Sequence, residues 1–159
     1  MSFIIGIDPG AAGAVAILEA DGNLVQVYDM PAIEVIVGGK AKRRISPEML
    51  AADLRLYNVH ATCAYIEQVS AMPGQGVSSM FAFGESFGLA KGVLAGLGIP
   101  VQAVTPGRWK KALQLNSGKD AARAKAAATW PTHAGEFRRV KDDGRAEAAL
   151  VALWGLKGT

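Results

Sequence analysis

Cysteine, charge and long apolar runs are all scarce in this sequence. Cys63 is the only cysteine among 159 residues, so the chain cannot form a disulfide with itself, and a small buried hydrophobe is its expected role. No uninterrupted apolar segment is long enough to span a bilayer, and the apolar run at the start lacks the basic leader of a secretory signal. We therefore expect a protein of the reducing cytoplasm that does not enter a membrane.

The composition is that of a globular protein with an uneven charge distribution. Half of the residues are hydrophobic and 19% are charged, which excludes an intrinsically disordered chain. The length predicts a single domain over residues 1–159. Residues 1–104 hold 6 Lys and Arg against 9 Asp and Glu, whereas residues 105–159 hold 11 against 5. The basic C-terminal part suits a polyanion such as nucleic acid, although a merely soluble surface can carry the same imbalance.

The chain begins with a pattern of short strands. Strands are predicted over residues 3–9, 13–19 and 23–30, the last two joined at Asp21-Gly22, which is typical of a hairpin turn. Residues 31–45 contain Gly38-Gly39 and then four positive charges within residues 40–44, and we expect an exposed, mobile loop there.

The rest of the chain alternates helices and strands. Ser46-Pro47 predicts the start of a helix that ends near Tyr57. The later elements follow from apolar patterning and from turn residues: strands over 61–68 and 99–104, and helices over 77–97, from 105, over 119–130 and from 142 to about 154. This order predicts an α/β fold with a five-stranded mixed sheet, its first three strands antiparallel, flanked by helices.

Four carboxylates occupy positions where they can meet. Asp8 and Glu67 each end an apolar strand, and Asp143 and Glu147 lie four residues apart on one face of the last helix. An isolated Asp8 would be better explained as a turn residue, and Asp143 could also be a plain first-turn acid. Glu147 stands in an apolar run and must find a cation or remain near the surface.

Convergence of these acids would require compensation of their charge. Carboxylates this close cannot all stay ionised alone, and an oxygen-only ligand set selects Mg²⁺ or Mn²⁺ over zinc. Two such ions about 4 Å apart can activate a water for phosphodiester hydrolysis. The four acids are therefore the candidate metal ligands and catalytic residues.

The motifs around these acids resemble those of a known family. Residues 5–10 (IGIDPG), 66–69 (IEQV) and 143–148 (DGRAEA) are similar to motifs of the RuvC-type Holliday junction resolvases, particularly their small phage-borne relatives. The resemblance covers nearly the whole chain. It implies a ribonuclease H-like fold in a bacterial or phage-infected cell, and a Mg²⁺-dependent homodimer that cuts two opposed strands of a four-way junction, leaving 5′-phosphate and 3′-hydroxyl ends.

Two positions depart from the family pattern. The last two acids of cellular resolvases are commonly three residues apart, whereas Gly144 stands three before Glu147 here, so the match to Asp143 is less direct. Ser70 stands where such proteins carry an aromatic wedge, and Met72 is the nearest bulky apolar residue for unstacking a base pair.

Basic residues and glycines suggest two further contacts. Candidate phosphate-binding residues are Lys110 and Lys111 beside Trp109, Lys119 with Arg123, and the charges of residues 40–44; Trp109 itself is expected to be a packing residue. Gly84, Gly88, Gly92 and Gly96 recur every four residues of a predicted helix, making a smooth stripe that packs either on the sheet or on a second subunit. The family resemblance favours the second subunit.

Three other functions fit parts of the sequence. A broader nuclease of flaps and forks is compatible with Ser70 at the wedge position, and a non-catalytic module that binds branched DNA would use the same fold. A nucleotide-binding domain of the actin or sugar-kinase type can also begin with an Asp after an apolar strand, but such proteins need two lobes to enclose ATP.

Overall fold

The computed structural model describes residues 1–158. In chain order its elements are β1 (Phe3–Asp8), β2 (Ala14–Glu19), β3 (Leu24–Asp29), β4 (Ala32–Val37), β5 (Lys40–Ile45), α1 (Pro47–Arg55), β6 (Ala61–Glu67), α2 (Val77–Gly96), β7 (Val101–Val104), α3 (Pro106–Ala112), α4 (Ala121–Thr129) and α5 (Asp143–Leu156). Two 3₁₀ segments, Pro131–Phe137 and Val140–Asp142, connect α4 to α5. The predicted domain range ends at Thr159, which lies outside the described residues, and the single domain stays a prediction.

The main sheet confirms the predicted fold class. Its five strands lie in the order β3-β2-β1-β6-β7. The pairs β1–β2 and β2–β3 are antiparallel, whereas β1–β6 and β6–β7 are parallel. Strand β7 begins two residues later than predicted because the amide of Ile99 bonds to the carbonyl of Leu94 and so closes the end of α2.

Strand β1 separates two layers of core because its side chains alternate between the faces of the sheet. Phe3, Ile5 and Ile7 pack with residues of α1 and α2. Gly6 lies on the opposite face, where a Cβ atom would stand 2.0 Å from the carbonyl oxygen of Ala148 in α5. The backbone of α5 therefore lies directly on β1, and only glycine permits this approach.

The segment predicted as a mobile loop is a β-hairpin, so that prediction was wrong. Strands β4 and β5 form a separate two-stranded antiparallel sheet. Gly38 and Gly39, with φ of 59° and 75°, form its turn, as two-residue hairpin loops require. The run Ala32–Val37 is rich in β-branched residues, and the charges of β5 remained compatible with a strand because that strand is largely exposed.

Two helix boundaries also differ from prediction. Lys119 precedes α4, which begins at Ala121 after an Asn116 side chain has accepted the amide of Gly118 and turned the chain. Helix α5 begins at Asp143, one residue later than predicted, and Asp142 lies at its N-cap position without capping the helix through its carboxylate. This carboxylate binds the backbone amide and guanidinium of Arg139 instead.

The glycine stripe of α2 faces outward. Gly84, Gly88, Gly92 and Gly96 are exposed, and a Cβ atom at any of them would meet nothing within 4 Å. Packing of the stripe on the chain's own sheet is therefore excluded. Over the described residues, no helix has the length and hydropathy needed to cross a membrane.

Candidate active site

Asp8 and Glu67 lie side by side at one edge of the main sheet. The parallel register pairs Ile7 of β1 with Ile66 of β6, so the next residue of each strand stands at its carboxyl end. By alternation, Asp8 projects to the same face as Gly6, which α5 covers. Both acids are partly buried. The strand ends thus place two carboxylates beneath the start of the last helix.

Helix α5 brings Asp143 and Glu147 to the same place. A Cβ atom at Gly144 would lie 3.1 Å from Oδ2 of Asp8 and 3.1 Å from the carbonyl oxygen of Ala12. The helix therefore contacts the β1–β2 turn at Gly144, and a side chain at this position would crowd Asp8.

Burial and the charge of Glu147 raise the pKa of the other three acids. Burial, followed by the charges of Glu147 and Glu67, raises the pKa of Asp8 from 3.8 to about 7. Burial and then Glu147 also raise the pKa of Glu67 and of Asp143. Because these shifts arise from mutual repulsion as well as burial, the structure brings all four predicted acids into one electrostatic cluster.

Helix α3 holds two of these acids through consecutive residues. Nζ of Lys110 lies 2.8 Å from Oε1 of Glu147, which supplies the cation that the apolar surroundings of Glu147 predicted. Nε1 of Trp109 donates a 2.7 Å hydrogen bond to Oε2 of Glu67. Trp109 is fully buried, so its predicted packing role is confirmed, but its bond to Glu67 was not foreseen.

The cluster has the chemistry of a site for a hard cation. Oδ1 of Asp143 is buried without a hydrogen-bond partner. The four acids offer only carboxylate oxygens as metal ligands, which suits a hard cation. A divalent cation would offset the repulsion that raises these pKa values. In the arrangement of side chains within residues 1–158, however, no three His, Cys, Asp or Glu are gathered closely enough to hold an ion. Glu67 and Glu147 instead bind Trp109 and Lys110 of α3. The metal-ligand assignment stays a prediction.

A cavity of about 580 Å³ opens beside the helical acids, and we call it the basic cavity. Its lining includes Asp143, Glu147, Lys110, Lys119 and Arg123. Arg123 also pairs with Asp120. The structure therefore brings three of the predicted phosphate-binding residues to the acids, although Lys119 is not helical.

Two other predicted DNA contacts lie elsewhere. Lys111 is exposed on α3 and does not line the basic cavity. Met72 is 60% exposed in the loop between β6 and α2, and Ser70 in that loop is also exposed.

A second cavity, of about 330 Å³, reaches Asp8 from the β4–β5 hairpin, and we call it the hairpin cavity. Arg43, Arg44, Phe83 and Ser86 contribute to its lining. The charges at positions 43 and 44 are among the predicted phosphate-binding residues, but the sequence does not reveal their proximity to Asp8, because it depends on the pairing of β5 with β4. Phe83 gave no signal at all, since a phenylalanine in an apolar helix is ordinarily a core residue.

Comparisons with known proteins agree with this geometry. No family model matches the sequence. The chain is 37% identical over 98 residues to the chloroplastic Holliday junction resolvase MOC1 of Chlamydomonas reinhardtii, a match that covers 60% of this chain but only 11% of that protein. A Thermus thermophilus RuvC structure in complex with Holliday junction substrate has a TM-score of 0.63 at 16% identity, covering 100% of this chain and 98% of that one.

A second Thermus thermophilus RuvC structure aligns with a TM-score of 0.54 at 16% identity, over 98% of this chain and 95% of that chain. At this level of identity the structural similarity establishes the fold. The sheet order, the position of α5 and these similarities together confirm the resemblance that the motifs predicted: this chain has the ribonuclease H-like fold of RuvC and is related in sequence to a Holliday junction resolvase.

Proposed function

We propose that this chain is a metal-dependent endodeoxyribonuclease that resolves four-way DNA junctions by paired phosphodiester hydrolysis. The observation that carries the proposal is the cluster of Asp8, Glu67, Asp143 and Glu147, in which burial and then the neighbouring charges raise the pKa of Asp8 to about 7. The related protein MOC1 is named a Holliday junction resolvase, and the RuvC structure that matches over the whole chain was determined with junction substrate. Both support DNA junctions as the substrate class.

The four carboxylates would hold the metal, for which Mg²⁺ fits the oxygen-only donor set and Mn²⁺ is the expected substitute. When bound, a pair of such ions supplies water activation and stabilisation of the leaving 3′ oxygen. The protein's own side chains prepare the site: Trp109 orients Glu67 through its indole N–H, and Lys110 neutralises Glu147. A direct test that needs no cleavage is thermal unfolding with increasing Mg²⁺, which is expected to raise the Tm of the wild type but not of Glu67→Gln.

The basic cavity is suited to hold the DNA backbone beside the acids. Lys110, Lys119 and Arg123 line this cavity together with Asp143 and Glu147. Their positive charges reduce the repulsion between the carboxylates and a phosphate group. Such contacts add affinity and fix the position of the strand without reading its sequence.

Paired cleavage requires two active sites, and each chain provides one set of acids. We therefore include a homodimer in the proposal. The outward-facing stripe Gly84, Gly88, Gly92 and Gly96 supports it. Each glycine in a helix lowers stability by about 1 kcal/mol relative to alanine, and close packing of a second backbone on the stripe would offset this cost. A bacterial or phage-infected cytoplasm stays a prediction for the location of this activity.

A second candidate is a nuclease that also cuts flaps and forks. The exposed Ser70 at the position of the family's aromatic wedge favours this broader activity, because it cannot unstack a base pair as an aromatic ring does.

One experiment tests these proposals together. Wild type and Glu67→Gln are incubated with Mg²⁺ and with an immobile four-way junction, a fork, a flap and a linear duplex of the same sequences. We expect the wild type to cut the junction and Glu67→Gln to lose at least about 100-fold in rate, as removal of a carboxylate ligand predicts. Equal cleavage of fork and junction would favour the broader nuclease, and equal activity of both proteins would exclude the acidic cluster as the site. A binding module would retain junction affinity and cut nothing.

A further inference from the structure

The hairpin cavity and the basic cavity approach the acidic cluster from different elements. Asp8 lines the hairpin cavity, together with the β1–β2 turn, β5 and α2. Asp143 and Glu147 line the basic cavity, and no residue lines both. A DNA strand whose scissile phosphate lies at the acids can therefore extend from them into the hairpin cavity or into the basic cavity.

The hairpin cavity is lined by two arginines that form no ion pair with other described residues. Within residues 1–158, neither Arg43 nor Arg44 has a salt bridge, although Glu34 stands opposite Arg43 in the hairpin register. Nη1 of Arg44 donates a hydrogen bond to the carbonyl oxygen of Arg43, at 3.1 Å. Guanidinium groups bind phosphate oxygens through paired N–H donors. Two arginines without an ion pair beside a cluster of carboxylates favour a negatively charged ligand there, because they offset the repulsion that the acids exert on it.

An exposed aromatic ring completes the lining. Phe83 is 44% exposed, and its Cε1 atom lies 3.9 Å from the place where a Cβ atom on Gly10 would stand. The ring thus lies over the β1–β2 turn, close to Asp8. The cavity volume of about 330 Å³ is at the low end of the range for small-ligand sites, about 300–1,000 Å³. Such a space suits a single base against the ring.

We infer that the hairpin cavity is a nucleotide subsite for the DNA strand being cut. It receives the nucleotide next to the scissile phosphate, with the neighbouring phosphate on Arg43 and Arg44 and the base against Phe83. This inference rests on the proposed nuclease function and assigns a role to the hairpin, which the catalytic acids do not require. It also places an aromatic contact with DNA on α2, whereas the family's wedge position carries Ser70.

The position of the base is tested with a fluorescent base analogue. A junction with 2-aminopurine at the nucleotide on either side of the cut is bound to Glu67→Gln, with or without Phe83→Leu added. We expect the fluorescence to rise at one of the two positions, because the fluorophore is quenched by its stacked neighbours in the duplex arm and leaves them when it enters the cavity. Phe83→Leu should abolish that rise and weaken binding by about 5- to 100-fold. Phe81→Leu, two residues earlier on α2 and outside the cavity lining, is the matched control and should retain the rise.

The arginines are tested by salt dependence. Arg43→Gln with Arg44→Gln is expected to reduce the slope of log K against log salt by about 1 to 2, because each lost phosphate contact removes close to one counterion from the equilibrium. Arg55→Gln, an exposed arginine at the end of α1, should leave the slope unchanged. Sedimentation of every variant reports its oligomeric state.

The outcomes separate the inference from the function on which it rests. If the wild type cuts the junction while the fluorescence change and the salt slope are the same in all variants, the subsite is wrong and the nuclease stands. If Phe83→Leu changes only sedimentation, the ring belongs to a contact between subunits and the subsite is again wrong. If the wild type neither binds nor cuts branched DNA, both proposals fail.

Discussion

The indole nitrogen of Trp109 donates a hydrogen bond to Oε2 of Glu67 across a separation of 42 residues in the chain. The next residue, Lys110, binds Glu147 at 2.8 Å. One short helix, α3, therefore positions a carboxylate from the sheet and a carboxylate from the last helix at the same time. Substitutions in α3 should affect the acids without touching them.

Replacement of Trp109 by Phe removes the donor while retaining an aromatic ring in the core. We expect the free energy of unfolding to fall by ~2–3 kcal/mol, because a hydrogen bond to a charged group is lost. Cleavage at limiting Mg²⁺ is expected to fall by ~10-fold or more, as is usual when a residue that orients a metal ligand is removed. Urea denaturation and junction cleavage measure the two effects.

Trp130 provides the matched control for this substitution. It is also buried, and its Nε1 donates to the carbonyl oxygen of Gly22 at 2.9 Å, away from the acids. Trp130→Phe should therefore lower stability and leave the Mg²⁺ dependence of cleavage unchanged. Equal losses of cleavage in both variants would mean that Trp109 serves the fold alone.

Replacement of Lys110 by Gln should shift the pH dependence of cleavage. Burial and Glu147 raise the pKa of Glu67 and of Asp143, and Lys110 lowers both. Without the ammonium group these pKa values rise further, so the ionised acids are reached only at higher pH. The acid limb of log kcat/KM should move upward in pH, with a loss of ~10-fold at pH 6 and a smaller loss at pH 9.

The exposed Lys125 on α4 is the control for Lys110, and Lys125→Gln should leave the pH profile in place. A drop in rate by the same factor at every pH would instead identify Lys110 as a phosphate contact only.

Replacement of Asp8 by Asn should stabilise the protein at neutral and alkaline pH. The folded protein raises the pKa of Asp8 from 3.8 to about 7, so between these values the folded state holds a proton that the unfolded state has released. The wild type therefore loses stability as the pH rises through this interval. We expect Asp8→Asn to exceed the wild type by ~1–3 kcal/mol at pH 8 and to equal it near pH 4.

Urea denaturation in the presence of a chelator, from pH 4 to pH 8, measures this difference. Glu85→Gln, which neutralises an exposed carboxylate on α2, should show no gain that grows with pH. A constant difference between Asp8→Asn and the wild type over the whole range would contradict the repulsion described for the acidic cluster.

Replacement of Gly88 by Leu tests the predicted subunit contact. A Cβ atom at Gly88 meets nothing within 4 Å in this chain, and leucine favours a helix by up to ~1 kcal/mol relative to glycine. The isolated chain should therefore be as stable as the wild type or more so, while a dimer that packs on the stripe is lost. Sedimentation velocity shows the change, and Ala52→Leu, at an exposed position on α1, should leave the association state unaltered.

The acids were predictable because strand ends and helical spacing determine them locally. Asp8 and Glu67 each follow an apolar run, and the spacing of Asp143 and Glu147 places both on one helical face. Their meeting depends on the parallel pairing of β1 with β6, which periodicity does not reveal.

What the sequence did not reveal depends on contacts between distant segments. Lys40–Ile45 is largely exposed and has no alternation of apolar and polar residues. Its partner strand β4 supplies the β-branched residues. The sequence of this segment therefore predicts a loop, although it forms a strand. The bond from Trp109 to Glu67 has no local pattern, since the two residues meet only after β6, β7 and α3 have assembled. Gly144 departs from the acid spacing of the family, and the sequence does not reveal that a side chain at this position would crowd Asp8.

The two-stranded sheet of β4 and β5 has no hydrogen bond to the main sheet, and this separation has a kinetic consequence. Amide protons of the hairpin can exchange with solvent through local opening, whereas those around Ile5, beneath α5, exchange only when the core unfolds. In the proposed nuclease, an arm that opens alone would admit a bulky branched substrate within the lifetime of the folded state. The four candidate acids, which belong to β1, β6 and α5, would keep their arrangement while the hairpin opens.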